Sequence, residues 1–457
     1  MQRQSYTEST AQNAQERRLV RKIDLRVMPL LCLLYALSLI DRSIISAAKI
    51  SGMAQDLKLT GNRYNVALLI FFIPYMLTEI PSNSIIRSVG TQRYLGSLIF
   101  CWGIVTMCFG FVHTFGQLVA LRFLLGVFEG GFNPACIYLI ASWYRRYEMQ
   151  RRLAIWYVSG SLISGFLGII SYGLSRMEGV GGLRGWRWIY IIPGIVTVLL
   201  VVPVYLWITD FPEKANWLSP DELAMIRTRL CEDCEEDLEA KTTVKDIIVA
   251  LSDWKVWAMG SFLFWPTAGA YTMSFFTPSI LRGLGYNVAL SQILVTPPYI
   301  AAAFASVATG YFADRVRLRT PFMIGHALVV IAGFVMIGWG NNTGSKLTGI
   351  FLAIIGNNCA IPAALAFLSN NVVGTKKRQT AIALQVMWGG LGGIVGSLIS
   401  REQDYPTYRP GLYASFASMF TFIILSVGMG YYFHLENKKA DKDGKVLEDI
   451  DGFRYTI

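Results

Sequence analysis

The amino-acid sequence predicts an all-α polytopic membrane protein, with twelve transmembrane helices in two pseudo-symmetric six-helix bundles. Three observations predict this fold class. Only 16% of the 457 residues are charged, whereas a soluble domain carries about 25%. Apolar runs of about twenty residues, the length that crosses a bilayer, alternate with short basic segments along the chain. The two halves of the chain also repeat one loop pattern.

Each apolar run of spanning length is interpreted as one transmembrane helix. Numbered one to twelve in chain order, the predicted spans are 25–48, 64–86, 94–113, 117–141, 152–175, 186–208, 256–281, 290–313, 320–339, 347–370, 379–400 and 411–433. The corresponding divisions are an N-terminal tail at 1–24, an N-terminal bundle at 25–208, a central loop at 209–255, a C-terminal bundle at 256–433 and a C-terminal tail at 434–457.

The distribution of basic residues predicts the orientation. Of the 41 Lys and Arg residues, 29 lie in loops or at span ends on the side that carries both termini, 10 lie likewise on the opposite side and two lie deep inside spans. Cytoplasmic loops carry the excess of Lys and Arg, so both termini and the central loop are expected in the cytoplasm. The net charge of +11 is thus explained by topology, and no nucleic-acid partner is expected. The plasma membrane is the expected location, and the vacuolar membrane is the alternative.

A short basic loop recurs in register in the two halves. The first copy contains Asn83, Arg87, Gly90 and Arg93, and the second contains Gly310, Asp314 and Arg315. Asn83 and Gly310 are 227 residues apart, as are Arg87 and Asp314. Two six-span halves joined by a central loop are typical of secondary transporters built from parallel repeats, whose substrate site lies between the halves near mid-membrane. We therefore expect a transporter in which these loops take part in the conformational change.

Four charged residues stand out well inside predicted spans: Asp41 and Arg42 in span one, and Arg122 and Glu129 in span four. A charge at the bilayer centre costs about 2.5–3.5 kcal/mol on insertion scales, so such residues are usually paired and functional. Arg122 and Glu129 share one helix face about 10.5 Å apart in height. Asp41 and Arg42 point about 100° apart, so we expect one to face a cavity and the other to pair with span four. The alternative is a salt-bridge network that only holds spans one and four together.

The second half offers neutral polar and aromatic groups inside its spans, namely Tyr271, Asn357, Gln385 and Trp388. Amides within a membrane need partners, so some of these side chains are expected to line an aqueous cavity and contact substrate. Packing between helices is the alternative for each. The Cys231 and Cys234 pair has no second Cys pair to complete a metal site, so no metal is expected and its role is left open. Asn341 begins a glycosylation sequon on the predicted outer face, which leaves modification open.

Several segments carry a resemblance to a known family. They include Asp41-Arg42-Ser43, Ala48-Lys49-Ile50, Glu79-Ile80-Pro81-Ser82-Asn83, Leu121-Arg122-Phe123, Gly126, Glu129-Gly130, Gly185-Trp186-Arg187-Trp188, Leu284-Gly285-Tyr286 and Pro297-Pro298-Tyr299. Together they resemble the fungal allantoate permease family, in the anion:cation symporter group of the major facilitator superfamily, from about residue 24 to 435. The second loop copy matches that superfamily's G-x-x-x-D-R-x-x-R/K signature. The first copy departs from it, with Asn83 for Gly and Arg87 for Asp.

The resemblance implies the major facilitator fold and uptake of a small organic anion with protons by alternating access. It links Asp41 and Glu129 to proton coupling, and Arg42 and Arg122 to a substrate carboxylate. Relatives more often have an apolar residue in place of Asn133, which makes Asn133 a candidate for substrate choice. Allantoate itself is therefore not carried over as the substrate, and allantoate, nicotinate, other vitamin-like carboxylates, sugar acids and small peptides are equally admissible.

Two other transport-related functions stay open. A drug/proton antiporter would carry a Gly-Pro pair in span five, which has no proline here. A nutrient sensor would usually carry long signalling extensions, whereas each predicted tail has about 24 residues. An enzyme is not expected, because neither a phosphate loop nor a nucleophile constellation is recognisable. The expected partners are the bilayer, protons and a small anion. The chain is expected to act as a monomer, without a cofactor, on the energy of the proton gradient.

Overall fold

The computed structural model describes residues 2–144, 146–208, 215, 217–232, 244–316, 318–399, 404, 409–448 and 452–457. Within these residues the chain is almost wholly helical. We keep the span numbers of the sequence analysis and give the bounds that the structure shows.

The first half contains six spans, three of which consist of two helices in succession. They are span one Gln2–Ala48, span two Arg63–Val89, span three Thr91–Cys108, span four Phe115–Gly130 with Phe132–Trp143, span five Arg146–Ser164 with Leu167–Ser175, and span six Gly185–Leu199 with Val201–Trp207. Short helical turns at Lys49–Met53, Ala54–Asp56, Phe109–Phe111 and Val180–Gly182 lie in the connections.

The second half has the same organisation. It comprises span seven Trp254–Ser261 with Phe264–Gly283, span eight Val288–Ile293 with Thr296–Val316, span nine Thr320–Trp339, span ten Thr343–Asn371, span eleven Thr375–Ile399 and span twelve Arg409–Asp443. The described part of the central loop contains helices Pro220–Glu232 and Val244–Ser252. The predicted all-α fold with twelve spans is confirmed.

Ten segments among the described residues are long and apolar enough to cross a membrane by length and composition. Spans two and seven fall outside that set. Both carry polar residues directed at the opposite half, such as Asn65 in span two and Ser274 in span seven. Both spans therefore lie at the interface between the halves.

Three span boundaries differ from the sequence prediction. Span one begins at Gln2 and span twelve continues to Asp443, so helix extends well beyond the apolar stretch at both ends of the chain. Span four is interrupted at Gly131. Pro134 has no N–H to donate to the carbonyl of Gly130 four residues earlier, which accounts for the interruption there.

The two halves contact each other at the end of the bundle opposite to both termini, which we call the far end. Here the Tyr64 hydroxyl donates to the Phe275 carbonyl over 3.1 Å, and the Asn65 amide donates to the Ser397 carbonyl over 2.6 Å. Gly168 of span five approaches the Gln292 carbonyl so closely that a Cβ at this position would lie 1.9 Å from the oxygen. Spans two and five thus close against spans seven, eight and eleven.

The opposite end, which carries both termini, is organised by the central loop and the C-terminal tail. Ser219 and Glu222 form the capping box that begins helix Pro220–Glu232, and Glu222 also pairs with Lys22 of span one at 2.7 Å. The tail folds back so that the Tyr455 ring stacks on Phe433 of span twelve, with ring centroids 4.2 Å apart. The central-loop helix therefore packs on the first half, and the C-terminal tail packs on the second half.

Candidate functional site

Arg42 lies at the centre of the bundle and binds residues from both halves. Its guanidinium pairs with the Glu129 carboxylate, with Nη2 2.9 Å from Oε2. It also donates to the Tyr271 hydroxyl over 2.7 Å and to the Ser38 hydroxyl over 3.3 Å. Arg42 is 5% exposed and Glu129 is 1% exposed, so this is a buried ion pair. Buried pairs lose much of their attraction to desolvation, so the pair is better suited to exchange of partners than to stabilising the fold.

Aromatic rings surround the cationic end of Arg42. The guanidinium carbon lies 4.8 Å from the centroid of Tyr75 and 5.1 Å from that of Phe71, both in span two. Desolvated cation–π contacts of this kind contribute about 2 kcal/mol. Phe72 meets Tyr271 edge to face at 4.9 Å, so the aromatic surroundings extend across to the second half. The rings partly compensate the charge of Arg42 when its carboxylate partner is absent.

Asp41 faces a different set of residues from its neighbour Arg42. Its Oδ2 accepts a hydrogen bond of 2.7 Å from the indole Nε1 of Trp102 in span three. Arg122 of span four is close enough to attract the Asp41 carboxylate, and its guanidinium lies 5.4 Å from the Phe109 ring centroid. The sequence predicted that one of the two neighbours would face a cavity while the other paired with span four. Arg42 pairs with Glu129 of span four and also reaches Tyr271 of span seven, whereas Asp41 is turned towards Trp102 of span three.

Several polar atoms in this region make no hydrogen bond of ordinary geometry to the described residues. They are Oδ1 of Asp41, Oε1 of Glu129, and Nε and Nη2 of Arg122, all buried. The Ser38 hydroxyl stands near Glu129, and that of Tyr190 near Arg122. Unsatisfied buried polar atoms are costly, so a proton, a water or a ligand carboxylate would find partners here.

The other predicted substrate residues lie in different surroundings. Asn133 donates to the Tyr75 hydroxyl over 2.7 Å and so stands behind the ring that contacts Arg42. The Asn357 amide donates to the Ala353 carbonyl of its own helix. Gln385 donates to the Ala364 carbonyl over 3.0 Å, and Trp388 packs on Phe264. Of the second-half candidates, Tyr271 makes direct contact with Arg42, while Gln385 and Trp388 pack within the second half.

The loop residues are only partly described. Gly90 ends span two with φ of 90°, a conformation that favours glycine. Arg93 and Arg315 are exposed, and Gly310 has open space around it. The side chains of Asn83, Arg87, Asp314, Cys231 and Cys234 lie outside the described part of the chain. Asn341 is exposed beside Asn342, whose side chain caps span ten.

Sequence reasoning missed three residues of the site: Ser38, Tyr75 and Trp102. Ser38 precedes Arg42 by four residues on one helix, so the i, i+4 spacing could have identified it. Tyr75 and Trp102 carry no comparable signal, because aromatic residues are common fillers between helices. Only the packing of spans two and three against span one reveals them.

Two helical halves that meet around a buried ionic centre define a membrane transporter. The chain matches the Major Facilitator Superfamily over residues 31–397 and belongs to that superfamily. The membership expected from its loop signature is confirmed.

The relatives are fungal transporters. The chain is 31% identical to the major facilitator-type transporter hxnP of Emericella nidulans, over 94% of this chain and 88% of that protein. It is 28% identical to the high-affinity nicotinic acid transporter of Saccharomyces cerevisiae, over 93% of this chain and 79% of that protein. Among solved structures, an inward-facing bacterial homolog of the human lysosomal transporter Spinster superposes with a TM-score of 0.68, at 16% identity, over 91% of this chain and 97% of that one. That likeness supports the fold.

Proposed function

We propose that this protein takes up a small organic anion together with protons by alternating access. The observation that carries the proposal is the position of Arg42, which is held by Glu129 of its own half and by Tyr271 of the other. One guanidinium therefore connects an exchangeable carboxylate to the interface that must open and close. A substrate carboxylate offers the same chemistry as Glu129 and can replace it.

Competition for Arg42 supplies the coupling between substrate and proton. When a substrate carboxylate binds the guanidinium, Glu129 loses its only ion-pair partner in the described site. A buried carboxylate without a partner is strongly disfavoured, so Glu129 then takes up a proton. Each ligand thereby favours the other, which is the thermodynamic condition for cotransport. Asp41, beside Trp102 and Arg122, is the second candidate for a coupled proton.

The membrane potential adds to this driving force when protons outnumber substrate charges. Each net positive charge that moves inward gains about 2.3 kcal/mol per 100 mV. The positive-inside distribution of Lys and Arg puts the termini in the cytoplasm. The far end then faces the outside, and its contacts between Tyr64, Asn65 and the second half form the closed external gate. The plasma membrane is the proposed location.

The similarity to a nicotinic acid transporter supports a carboxylate as substrate. Arg42, whose partner Glu129 is exchangeable, supplies a positive site for that carboxylate. Allantoate, nicotinate and related carboxylates are therefore the substrates to test first.

The test is uptake of radiolabelled carboxylates into transporter-deficient yeast at external pH 5 and pH 7, with and without a protonophore. The proposal predicts that uptake of one anion rises at pH 5 and collapses with the protonophore. Absence of uptake for every anion, in cells with normal surface expression, would contradict it. Preloaded cells would then show whether the protein works as a proton-driven exporter.

A further inference from the structure

We propose that a narrow pocket beside Arg42 is a neutral subsite for the uncharged polar end of the transported anion. The inference rests on the proposed function and specifies its substrate class. The pocket lies between spans one, five, seven and eight, and its polar lining includes Ser43, Ser46, Ser274, Gln292 and Tyr299.

The pocket begins within one helical turn of the ionic centre. Ser46 follows Arg42 by four residues, so the two share a helix face about 6 Å apart along the axis. On span seven, Ser274 follows Tyr271 by three residues and donates to the Ser43 hydroxyl over 2.8 Å. The pocket therefore continues from the Arg42–Tyr271 contact towards the far end. A carboxylate on Arg42 would direct the remainder of the ligand towards it.

The pocket lining offers hydrogen bonds and carries no formal charge. All eleven lining residues are uncharged, and four of them are serines. Gln292 is 1% exposed, and its Oε1 makes no hydrogen bond to the described residues. Its Nε2 donates to the Ser51 hydroxyl over 2.7 Å, which fixes the amide. An unpartnered acceptor on a fixed side chain is a preformed contact for a ligand donor or a bridging water.

This chemistry selects among the carboxylates. A second ionised group in the pocket would be buried without a counter-charge, which is costly. A purely apolar remainder would offer the serine hydroxyls and the Gln292 oxygen no hydrogen bond. The favoured ligand is a monocarboxylate whose remainder carries a neutral hydrogen-bonding group. Dicarboxylates are disfavoured.

Closure at the far end shields this subsite. Because residue 168 is glycine, span five approaches the Gln292 carbonyl directly. A ligand in the pocket would contact Ser43 and Ser46 of the first half and Ser274 and Gln292 of the second. The hydrogen bonds of its neutral end would therefore change when the halves separate. The contacts of its carboxylate with Arg42 would change in the same movement.

The test compares three ligands of one ring size as competitors of the transported anion: pyridine-3-carboxylate, benzoate and benzene-1,3-dicarboxylate. Binding of each to the purified full chain is measured in parallel from the shift in melting temperature. Pyridine-3-carboxylate should bind about fivefold more tightly than benzoate, as expected for one or two hydrogen bonds. The dicarboxylate should bind more weakly than both.

The variant Ser274→Ala should reduce the preference for pyridine-3-carboxylate over benzoate to less than about twofold. Ser261→Ala, in the same span but bonded to its own helix, should keep the wild-type preference. Equal binding of benzoate and pyridine-3-carboxylate by the wild type, or strong binding of the dicarboxylate, would overturn the subsite. Ligand discrimination by the purified protein without proton-driven uptake in cells would overturn the proposed function and leave the subsite in place.

Discussion

Arg42 of span one donates a 2.7 Å hydrogen bond to the hydroxyl of Tyr271 in span seven, directly across the interface between the two halves. The same guanidinium holds Glu129 at 2.9 Å. A change in the ion pair therefore alters a contact that joins the halves. This geometry connects the charge state of the site with its conformation.

Replacement of Glu129 by Gln should abolish proton-driven accumulation of substrate while sparing exchange. The amide keeps the size of the side chain, but it cannot take up and release the coupled proton. Accumulation with and without a protonophore, and exchange from preloaded vesicles, are the measurements. Glu222→Gln is the matched control, since Glu222 lies in the central loop and pairs with Lys22. Accumulation against a gradient by the Glu129→Gln protein would show that another group carries the proton.

Replacement of Tyr271 by Phe should reduce the apparent affinity for substrate about tenfold. The ring and its contact with Phe72 remain, but a hydrogen bond to a charged group, about 1.5–3 kcal/mol, is lost. Concentration-dependent uptake gives the affinity directly. Tyr413→Phe, at an exposed position of span twelve, is the control and should behave as the wild type. An unchanged affinity in Tyr271→Phe would mean that this contact has no part in holding Arg42 for substrate.

Gly168→Ala should slow transport by about tenfold, whereas Gly173→Ala should have little effect. Both glycines lie in helix Leu167–Ser175. A Cβ at position 168 would lie 1.9 Å from the Gln292 carbonyl oxygen, while position 173 has open space within 4 Å. Forced overpacking costs about 1–3 kcal/mol and would here oppose closure of the far end. The measurement is the initial uptake rate of each variant at equal surface expression. Equal rates for Gly168→Ala and Gly173→Ala would contradict the proposed closure.

The C-terminal tail offers a test that is independent of the substrate site. Burial alone would raise the pKa of Glu448, but hydrogen bonds from Lys255, Tyr455 and Lys377 outweigh it and lower the pKa to about 2. The ordinary value is 4.5. The ionised carboxylate therefore stabilises the docked tail fully above about pH 4.5, and this contribution is lost only as the pH falls towards 2.

Glu448→Gln should accordingly loosen the tail to the same extent at pH 5 and pH 7. Limited proteolysis of the tail and the melting temperature of the purified protein are the measurements. Asp441→Asn is the control, because Asp441 is 66% exposed in its pair with Arg454 and such surface pairs contribute little. A Glu448→Gln effect that appears only at pH 7 would show that the carboxylate is protonated at pH 5, against the expected pKa.

Much of this architecture could be predicted from local pattern. Apolar runs of spanning length gave the twelve spans, because a helix must cover the hydrocarbon with side chains that tolerate it. The capping box at Ser219 and Glu222 depends on equally local spacing, and the structure forms it with reciprocal hydrogen bonds. The interruption of span four at Gly131 was missed, although Pro134 carried the signal.

The candidate site was predicted in composition but not in arrangement. The cost of burying charge in a membrane singled out Asp41, Arg42, Arg122 and Glu129 before any packing was known. Their partners could not be derived in the same way. Trp102 and Tyr75 resemble any other aromatic filler in sequence, and Gln385 resembles a cavity amide although it bonds within the second half.

The sequence by itself therefore determined the membrane class, the span count, the repeat and the identity of the buried charges. These properties follow from the hydrophobicity of single residues and from spacing along one chain. The tertiary structure decided that Arg42 joins Glu129 to Tyr271 and that Asp41 turns to Trp102. The physical reason is that hydrogen bonds depend on distances of about 3 Å between residues far apart in the chain, which only the packing of helices can fix.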